Sequence, residues 1–127
     1  MNMRRATFVL ALIAPAALLA GCATNAGAQL MNTDDIIGVT FASSEKGEPF
    51  LEFANDGSYR GSDGCNGIGG TYTVEDDELV LKPGLSTLMA CPGVDTWVRG
   101  AKSVKLGDDA LIVFDKGGSE IGTLARS

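Results

Sequence analysis

The three cysteines are the residues whose type and position could do chemistry most directly, and the first of them is Cys22. It closes the tetrapeptide Leu19-Ala20-Gly21-Cys22, the lipobox pattern in which small residues precede a cysteine that receives lipid. Arg4 and Arg5 precede an uncharged apolar run over residues 6–19, as in a signal peptide. This run is too short to span a membrane, which takes about 20 apolar residues. The pattern therefore predicts a signal peptide over 1–21 and lipidation of Cys22.

Lipidation of Cys22 predicts a protein held by acyl chains at a bacterial cell membrane or outer membrane, facing the periplasm or the exterior. Two acyl chains give the stable attachment that one chain cannot. Ala23 follows the cysteine, where an aspartate would signal retention in an inner membrane, so sorting to an outer membrane stays open. Cleavage after Ala26-Gly27-Ala28, which would release the protein, and an uncleaved helix are the less favoured alternatives.

Cys65 and Cys91 remain as an even pair in an oxidising compartment once Cys22 carries lipid. A disulfide between them would stabilise the fold by about 3.5 kcal/mol on the chain-entropy model. The alternative is a reactive thiol or a metal ligand. It is less favoured because the chain has no histidine and no second thiol close in sequence to either cysteine.

The absence of histidine narrows the function classes further. It removes the Ser-His-Asp and Cys-His catalytic devices and most transition-metal sites, so we expect no enzymatic activity, no metal and no cofactor. Beyond the signal peptide the chain carries 8 basic and 16 acidic residues, a net charge of -8. Such a charge disfavours nucleic acid and anionic lipid headgroups as partners. We expect a monomer.

The elements that position these residues are predominantly β. Residues 22–33 have no hydrophobic pattern and predict a flexible tether, and residues 34–127 predict one small domain. Turn signals such as Asn55-Asp56-Gly57 and Lys116-Gly117-Gly118 separate short apolar runs. About eight short strands are predicted, over 37–42, 50–54, 58–62, 70–74, 79–81, 86–89, 110–114 and 119–124.

One segment departs from the β pattern. After Pro92-Gly93, apolar residues at helical spacing predict a short helix over 94–102, although Gly100 weakens it. Trp97, the single tryptophan, is expected to plug one end of a sheet. The predicted fold class is therefore mainly β (α+β), a small, strongly curved antiparallel sheet or barrel with one short helix. Leu51, Phe53, Leu81 and Val113 are expected to fill its interior.

Three polar segments could suggest other chemistry. The glycine-rich residues 61–70 lack a phosphate-loop pattern and lead into a strand, so they predict tight turns, with Asn66 bonding to nearby backbone. The acidic residues 75–78 lack the ligand spacing of an EF-hand and predict a solvated hairpin tip. Asp63 and Glu52 could form a glycosidase-like pair, but nothing in the sequence brings them together.

Two motifs resemble the META domain family, also called HslJ-like. The first is a GCN sequence followed by a G-x-Y strand, and the second is a T-x-M-A-C-P segment. The resemblance covers about residues 37–124. The motif positions in this chain are Gly64, Cys65, Asn66, Tyr72, Thr87, Met89, Ala90, Cys91 and Pro92.

The resemblance implies a small lipocalin-like barrel in which Cys65 pairs with Cys91. It also implies an envelope lipoprotein associated with heat shock or antibiotic tolerance, with no enzymatic activity to carry over. The chain departs from the family pattern at Val39-Thr40, where a tryptophan is common.

We therefore expect a non-enzymatic, lipid-anchored envelope protein that acts in stress or antibiotic tolerance through binding. The alternative is a protein-binding inhibitor or a pilotin-like assembly factor that uses the barrel mouth or an edge. An exposed apolar patch at one rim would favour this alternative. A small-ligand barrel is the third hypothesis, and the expected filling of the interior by side chains leaves it little room.

Overall fold

Residues 32–127 form a closed antiparallel β-barrel in a computed structural model, which describes this part of the chain. Cys22, the predicted signal peptide and most of the predicted tether lie outside the described residues. Among residues 32–127, no helix is long and apolar enough to cross a membrane. The eight strands are β1 (Thr40–Ala42), β2 (Phe50–Phe53), β3 (Ser58–Ser62), β4 (Gly67–Glu75), β5 (Glu78–Pro83), β6 (Ser103–Leu106), β7 (Ala110–Phe114) and β8 (Glu120–Arg126).

Each strand pairs with its neighbours in chain order, and β1 pairs with β8 to close the barrel. The turn Asn55-Asp56-Gly57 joins β2 to β3, and Lys116-Gly117-Gly118 lies between β7 and β8, as predicted. Gly57 adopts φ +87°, a left-handed conformation that glycine accepts without steric cost. The mainly β fold class is therefore confirmed, and the strands form a closed barrel.

The barrel interior is filled by apolar side chains that alternate along the strands. The four predicted core residues are all buried, with Leu51, Phe53 and Val113 fully enclosed and Leu81 nearly so. Phe41, Leu79, Val104, Leu111 and Leu124 complete the central layers. At about 25 cal/mol per Å² of buried apolar surface, this cluster is the main source of stability for so small a domain.

Short 3-10 helices close the two ends of the barrel. The first, Thr33–Asp35, leads into the fully buried Ile36. The second, Trp97–Gly100, buries Val98. Antiparallel order then places the loops 43–49, 63–66, 84–102 and 115–119 at one end, here called the disulfide end. The first described residue, Asn32, and the last, Ser127, lie at the opposite end.

Three predicted elements differ from the structure. The helix over 94–102 is wrong, because only Trp97–Gly100 is helical and it is a 3-10 turn. The strand over 86–89 does not form, and the chain there has no regular secondary structure. The first strand begins at Thr40 rather than at residue 37, since Ile37 makes only an isolated bridge to Phe53. A strand not predicted, β6, follows the second 3-10 helix.

Candidate binding site at the barrel rim

The rim loop, defined here as residues 84–91, is the most exposed apolar segment of the described chain. Leu85 is 102% exposed, Leu88 79% and Met89 67%. Every residue from 82 to 90 is exposed, although this is the segment that carries the T-x-M-A-C-P motif. Clustered apolar side chains on a small domain are unfavourable in water, which makes the rim loop a candidate binding surface.

The backbone of the rim loop is held by the side chain of Asn66. Asn66 is 2% exposed, its Nδ2 donates to the Met89 carbonyl at 3.0 Å, and its Oδ1 accepts from the Met89 N–H at 2.7 Å. The prediction that Asn66 bonds to nearby backbone is therefore wrong. Its amide instead satisfies a backbone segment 23 residues away, in the manner of a paired strand.

Asp63, rather than Asn66, forms the local turn. Its Oδ1 accepts from the Cys65 N–H at 2.8 Å and from the Asn66 N–H at 2.6 Å, and its side chain is fully buried. The Arg99 Nε lies 3.2 Å from its Oδ2. This contact is an ion pair without hydrogen-bond geometry, since Oδ2 accepts no hydrogen bond from residues 32–127. A buried carboxylate needs such a cation to offset its desolvation.

Arg99 and the disulfide complete the attachment of the rim loop. Arg99 Nη2 donates to the Thr87 carbonyl at 3.1 Å. Cys65 and Cys91 are bonded, with their Cα atoms 5.8 Å apart, as the sequence and the resemblance predicted. The loop is therefore fixed at Thr87, Met89 and Cys91, each about two residues from the next. The exposed apolar side chains of the rim loop therefore extend from a backbone that is fixed in position.

The remaining motif residues at the disulfide end shape the turns around this attachment. Gly64 adopts φ +95°, and a side chain there would meet Val94 Cγ1 at 3.1 Å. Ala90 and Pro92 are exposed on either side of Cys91, whose carbonyl accepts from the Val94 N–H at 3.2 Å. In the GCN motif, Gly64 therefore makes a tight turn, Cys65 makes the covalent link, and the Asn66 amide makes the hydrogen bonds that a neighbouring backbone would make.

Trp97 plugs the disulfide end of the barrel, as predicted. Its Nε1 donates to Glu45 Oε1 at 2.5 Å. Its ring occupies the space above Gly122 of β8, where a Cβ atom would lie 2.6 Å from the ring. Gly122 pairs with the buried Val113 and so faces the interior. The absence of a side chain at Gly122 makes room for the indole.

Tyr72 is a motif residue that lies away from the rim loop, at the opposite end. Its hydroxyl donates to the Ala54 carbonyl at 2.5 Å, and its ring meets Phe53 edge-on at 5.5 Å between centroids. Burial, with the nearby Asp56 carboxylate adding to it, raises the pKa of Tyr72. Its role is to tie β4 to the β2–β3 turn.

The structure does not bring Glu52 and Asp63 together as a pair. Glu52 pairs with Arg60 on the outer wall, at 3.1 Å, whereas Asp63 pairs with Arg99 at the disulfide end. Residues 75–78 lie at the tip of the β4–β5 hairpin, where Asp77 contacts Lys105. Within the described chain, no cluster of three potential metal ligands occurs.

Arg99 and Glu45 are the residues of the site that the sequence did not indicate. Arg99 is 36 positions from Asp63, and Glu45 is 52 positions from Trp97. Neither spacing follows a helical or strand period. Two side chains at such separations become partners only when the closed barrel places their loops together.

A closed antiparallel barrel of eight short strands, with a disulfide-linked rim loop, defines a small β-barrel domain. The chain belongs to the META domain family, whose model matches residues 29–121. No curated protein and no solved structure matches the chain.

Proposed function

We propose that this META domain is a non-enzymatic, lipid-anchored binding module of the bacterial cell envelope. Its partner would be an envelope protein that contacts the rim loop. The observation that supports binding most strongly is the combination at that loop of a fixed backbone with exposed Leu85, Leu88 and Met89. Because the backbone is already held, association has to order only the side chains, which lowers the entropic cost of binding.

The position of the predicted anchor supports a protein partner rather than the anchoring membrane. Asn32 lies at the end opposite the rim loop, ten residues after Cys22, which allows a tether of at most about 35 Å. The same end carries nine acidic residues, which anionic headgroups repel. They are Asp34, Asp35, Asp56, residues 75–78, Asp108 and Asp109. An anchor at Cys22 would therefore join the domain at the end opposite the rim loop, and a tether of this length would let the acidic end stand clear of the headgroups.

This arrangement favours the protein-binding form of the hypothesis, an inhibitor or a pilotin-like assembly factor. An exposed apolar patch at one rim is the feature expected for that form. The absence of histidine supports binding over catalysis. A role in envelope stress or antibiotic tolerance rests on the family resemblance.

Site-specific photocrosslinking in living cells tests the binding surface. A photoreactive residue replacing Ser86 should give a discrete protein adduct. Leu85→Ser combined with Leu88→Ser should abolish that adduct while leaving the thermal unfolding temperature unchanged. The matched control is Val74→Ser, which removes a partly exposed apolar side chain from β4, away from the rim loop. An adduct that survives the double substitution would refute the rim loop as the contact surface.

Metabolic labelling with palmitate tests the anchor separately. The unaltered chain should incorporate label, and Cys22→Ala should remove it. Unchanged label in Cys22→Ala would contradict lipidation at this residue without affecting the rim-loop experiment.

A further inference from the structure

A cavity of about 180 Å³ lies beneath the start of the rim loop, outside the apolar surface used above. It arises because β5 and β6 diverge. They pair only through Leu79↔Val104 and Val80↔Ser103, with one further backbone hydrogen bond from the Leu81 N–H to the Lys102 carbonyl. Beyond that point Pro83 follows β4 while the chain after the second 3-10 helix turns away. The split leaves an opening into the barrel mouth.

Some of the residues that line the cavity are apolar. Ile68 of β4, Val98 of the second 3-10 helix and Ala101 line it, and Pro83 closes one side. A cavity of about 150 Å³ is enough to hold a benzene ring. The volume here therefore accommodates one small ring or a short hydrocarbon chain, and its open side leaves space for a polar substituent.

Two cationic residues also line the cavity. Lys102 lines it and makes no ion pair with any residue of 32–127. Arg99 also lines it, with Nε and Nη2 directed at Asp63 and Thr87, and its Nη1 donates to no residue in the described range. A single anionic group could therefore approach one unpaired ammonium group and the remaining edge of one guanidinium group.

Tyr59 is a further polar residue in the lining of the same cavity. The residue is 6% exposed, and its hydroxyl makes no hydrogen bond within residues 32–127. That oxygen is nevertheless not fully enclosed, because the only fully enclosed side-chain polar atom without a hydrogen bond in this part of the chain is Asp63 Oδ2. The hydroxyl therefore borders open space. A ligand oxygen that enters this space can therefore accept a hydrogen bond from the hydroxyl.

We propose that this cavity binds a small organic carboxylate with a single-ring or short-chain apolar body. The apolar body lies against Ile68, Val98 and Ala101. The carboxylate accepts from the Tyr59 hydroxyl and pairs with Lys102. This site is separate from the protein contact proposed for the rim loop, although two residues of that loop, Gly84 and Ser86, also line the cavity.

Titration with benzoate tests the proposal. The mature protein is extracted from membranes in detergent, labelled with nitrogen-15 and titrated with benzoate up to about 10 mM, a concentration that detects millimolar binding. Saturable amide shifts are expected at Gly69, Gly84 and Ala101. Benzyl alcohol, which keeps the ring and lacks the charge, should bind at least about fivefold more weakly.

Two substitutions assign the contacts. Tyr59→Phe keeps the ring and removes the hydroxyl, and should weaken benzoate binding about tenfold, as expected for a hydrogen bond to a charged group. Lys102→Met should weaken it at least about fivefold. Lys116→Met is the matched control, because it removes a cation from the β7–β8 turn at the same end and should change nothing. Circular dichroism verifies that each variant keeps the native unfolding temperature.

The proposal is overturned if benzoate gives no saturable shifts at those amides in the folded protein. It is equally overturned if benzyl alcohol binds as tightly as benzoate, or if Lys102→Met and Lys116→Met have the same effect. Each of these outcomes leaves the crosslinking test of the rim loop unaffected.

Discussion

The side chain of Asn66 and the backbone of Met89 exchange two hydrogen bonds, at 3.0 and 2.7 Å, as two residues on paired strands do. One amide therefore replaces a neighbouring strand for a segment that has none. Because Asn66 is buried and Met89 is exposed, the interaction joins the core to the most accessible apolar surface in the described chain.

Asn66→Ala should loosen the rim loop and lower the free energy of unfolding by about 2–3 kcal/mol, because it leaves two backbone groups of Met89 without a protein partner. Urea denaturation gives the loss, and hydrogen exchange should show a faster-exchanging Met89 amide. Asn55→Ala in the β2–β3 turn is the control, with an expected change below about 0.5 kcal/mol. Unchanged protection of Met89 would contradict the role assigned to Asn66.

Arg99→Met should lower the free energy of unfolding by about 2–4 kcal/mol, since it leaves the buried Asp63 carboxylate without its cation. Adding Asp63→Asn should recover part of that loss, and a double-mutant cycle measures the coupling. Arg60→Met is the control because its pair with Glu52 lies on the exposed wall, where a loss below about 1 kcal/mol is expected. Strictly additive losses at Asp63 and Arg99 would refute the ion pair.

Replacing both Cys65 and Cys91 by serine should lower the free energy of unfolding by about 3.5 kcal/mol, the chain-entropy value for a separation of 26 residues. The intact mass of the exported protein should be two hydrogens below that of its reduced form. Asn66 still holds Met89 in the serine variant, so Met89 should keep partial protection from exchange. Alkylation of both thiols in native, non-reduced protein would rule out the bond.

Both tyrosines should ionise above the usual range near pH 10. Burial raises the pKa of Tyr59, and burial together with Asp56 raises the pKa of Tyr72. Because the unfolded chain loses these protons first, stability is fully present below about pH 10 and falls as pH rises further.

Absorbance at 295 nm measures the tyrosine titration directly, since the chain has only these two tyrosines. Tyr59→Phe and Tyr72→Phe, each leaving one tyrosine, separate the two curves. A folded protein in which either tyrosine titrates at or below pH 10 would contradict its assigned environment.

Gly122→Ala should lower the free energy of unfolding by about 1–3 kcal/mol, since the new methyl group would overlap the Trp97 ring and force it outward. The emission of the single tryptophan should shift to longer wavelength as the indole meets water. Gly117→Ala in the exposed β7–β8 turn has no such contact and serves as the control. An unshifted emission spectrum would contradict the placement of the ring above Gly122.

Local patterns predicted the hairpins well, because each turn is encoded by adjacent residues. Asn55-Asp56-Gly57 places a glycine where φ is +87°, and the strands beside it follow directly. The helix over 94–102 failed for a related reason. Its apolar spacing reflects Val98 and Ala101 entering the barrel mouth from a short turn, and Gly100 does not sustain a longer helix.

The sequence predicted the cysteines and the motif residues of the site, but not the side chains that contact them. The disulfide follows from the even pair of cysteines and from the resemblance, and the motif positions follow from the resemblance, but the partners of those positions follow from neither. The sequence predicts a strand over 86–89, yet the backbone hydrogen bonds of Thr87 and Met89 go to the side chains of Arg99 and Asn66. Partners of this kind depend on tertiary contacts, which no local period in one sequence encodes.

The pairing of β1 with β8 has a consequence for biogenesis. Until β8 has been made, β1 has a strand partner on one side only, because Phe41 and Ala42 pair with Arg126 and Ala125 of β8. A nascent chain that stalls before residue 120 would present a ribbon open to pairing with other polypeptides. The barrel can therefore close only after β8 has been made. Copies truncated before β8 should be captured by chaperones or degraded before they accumulate.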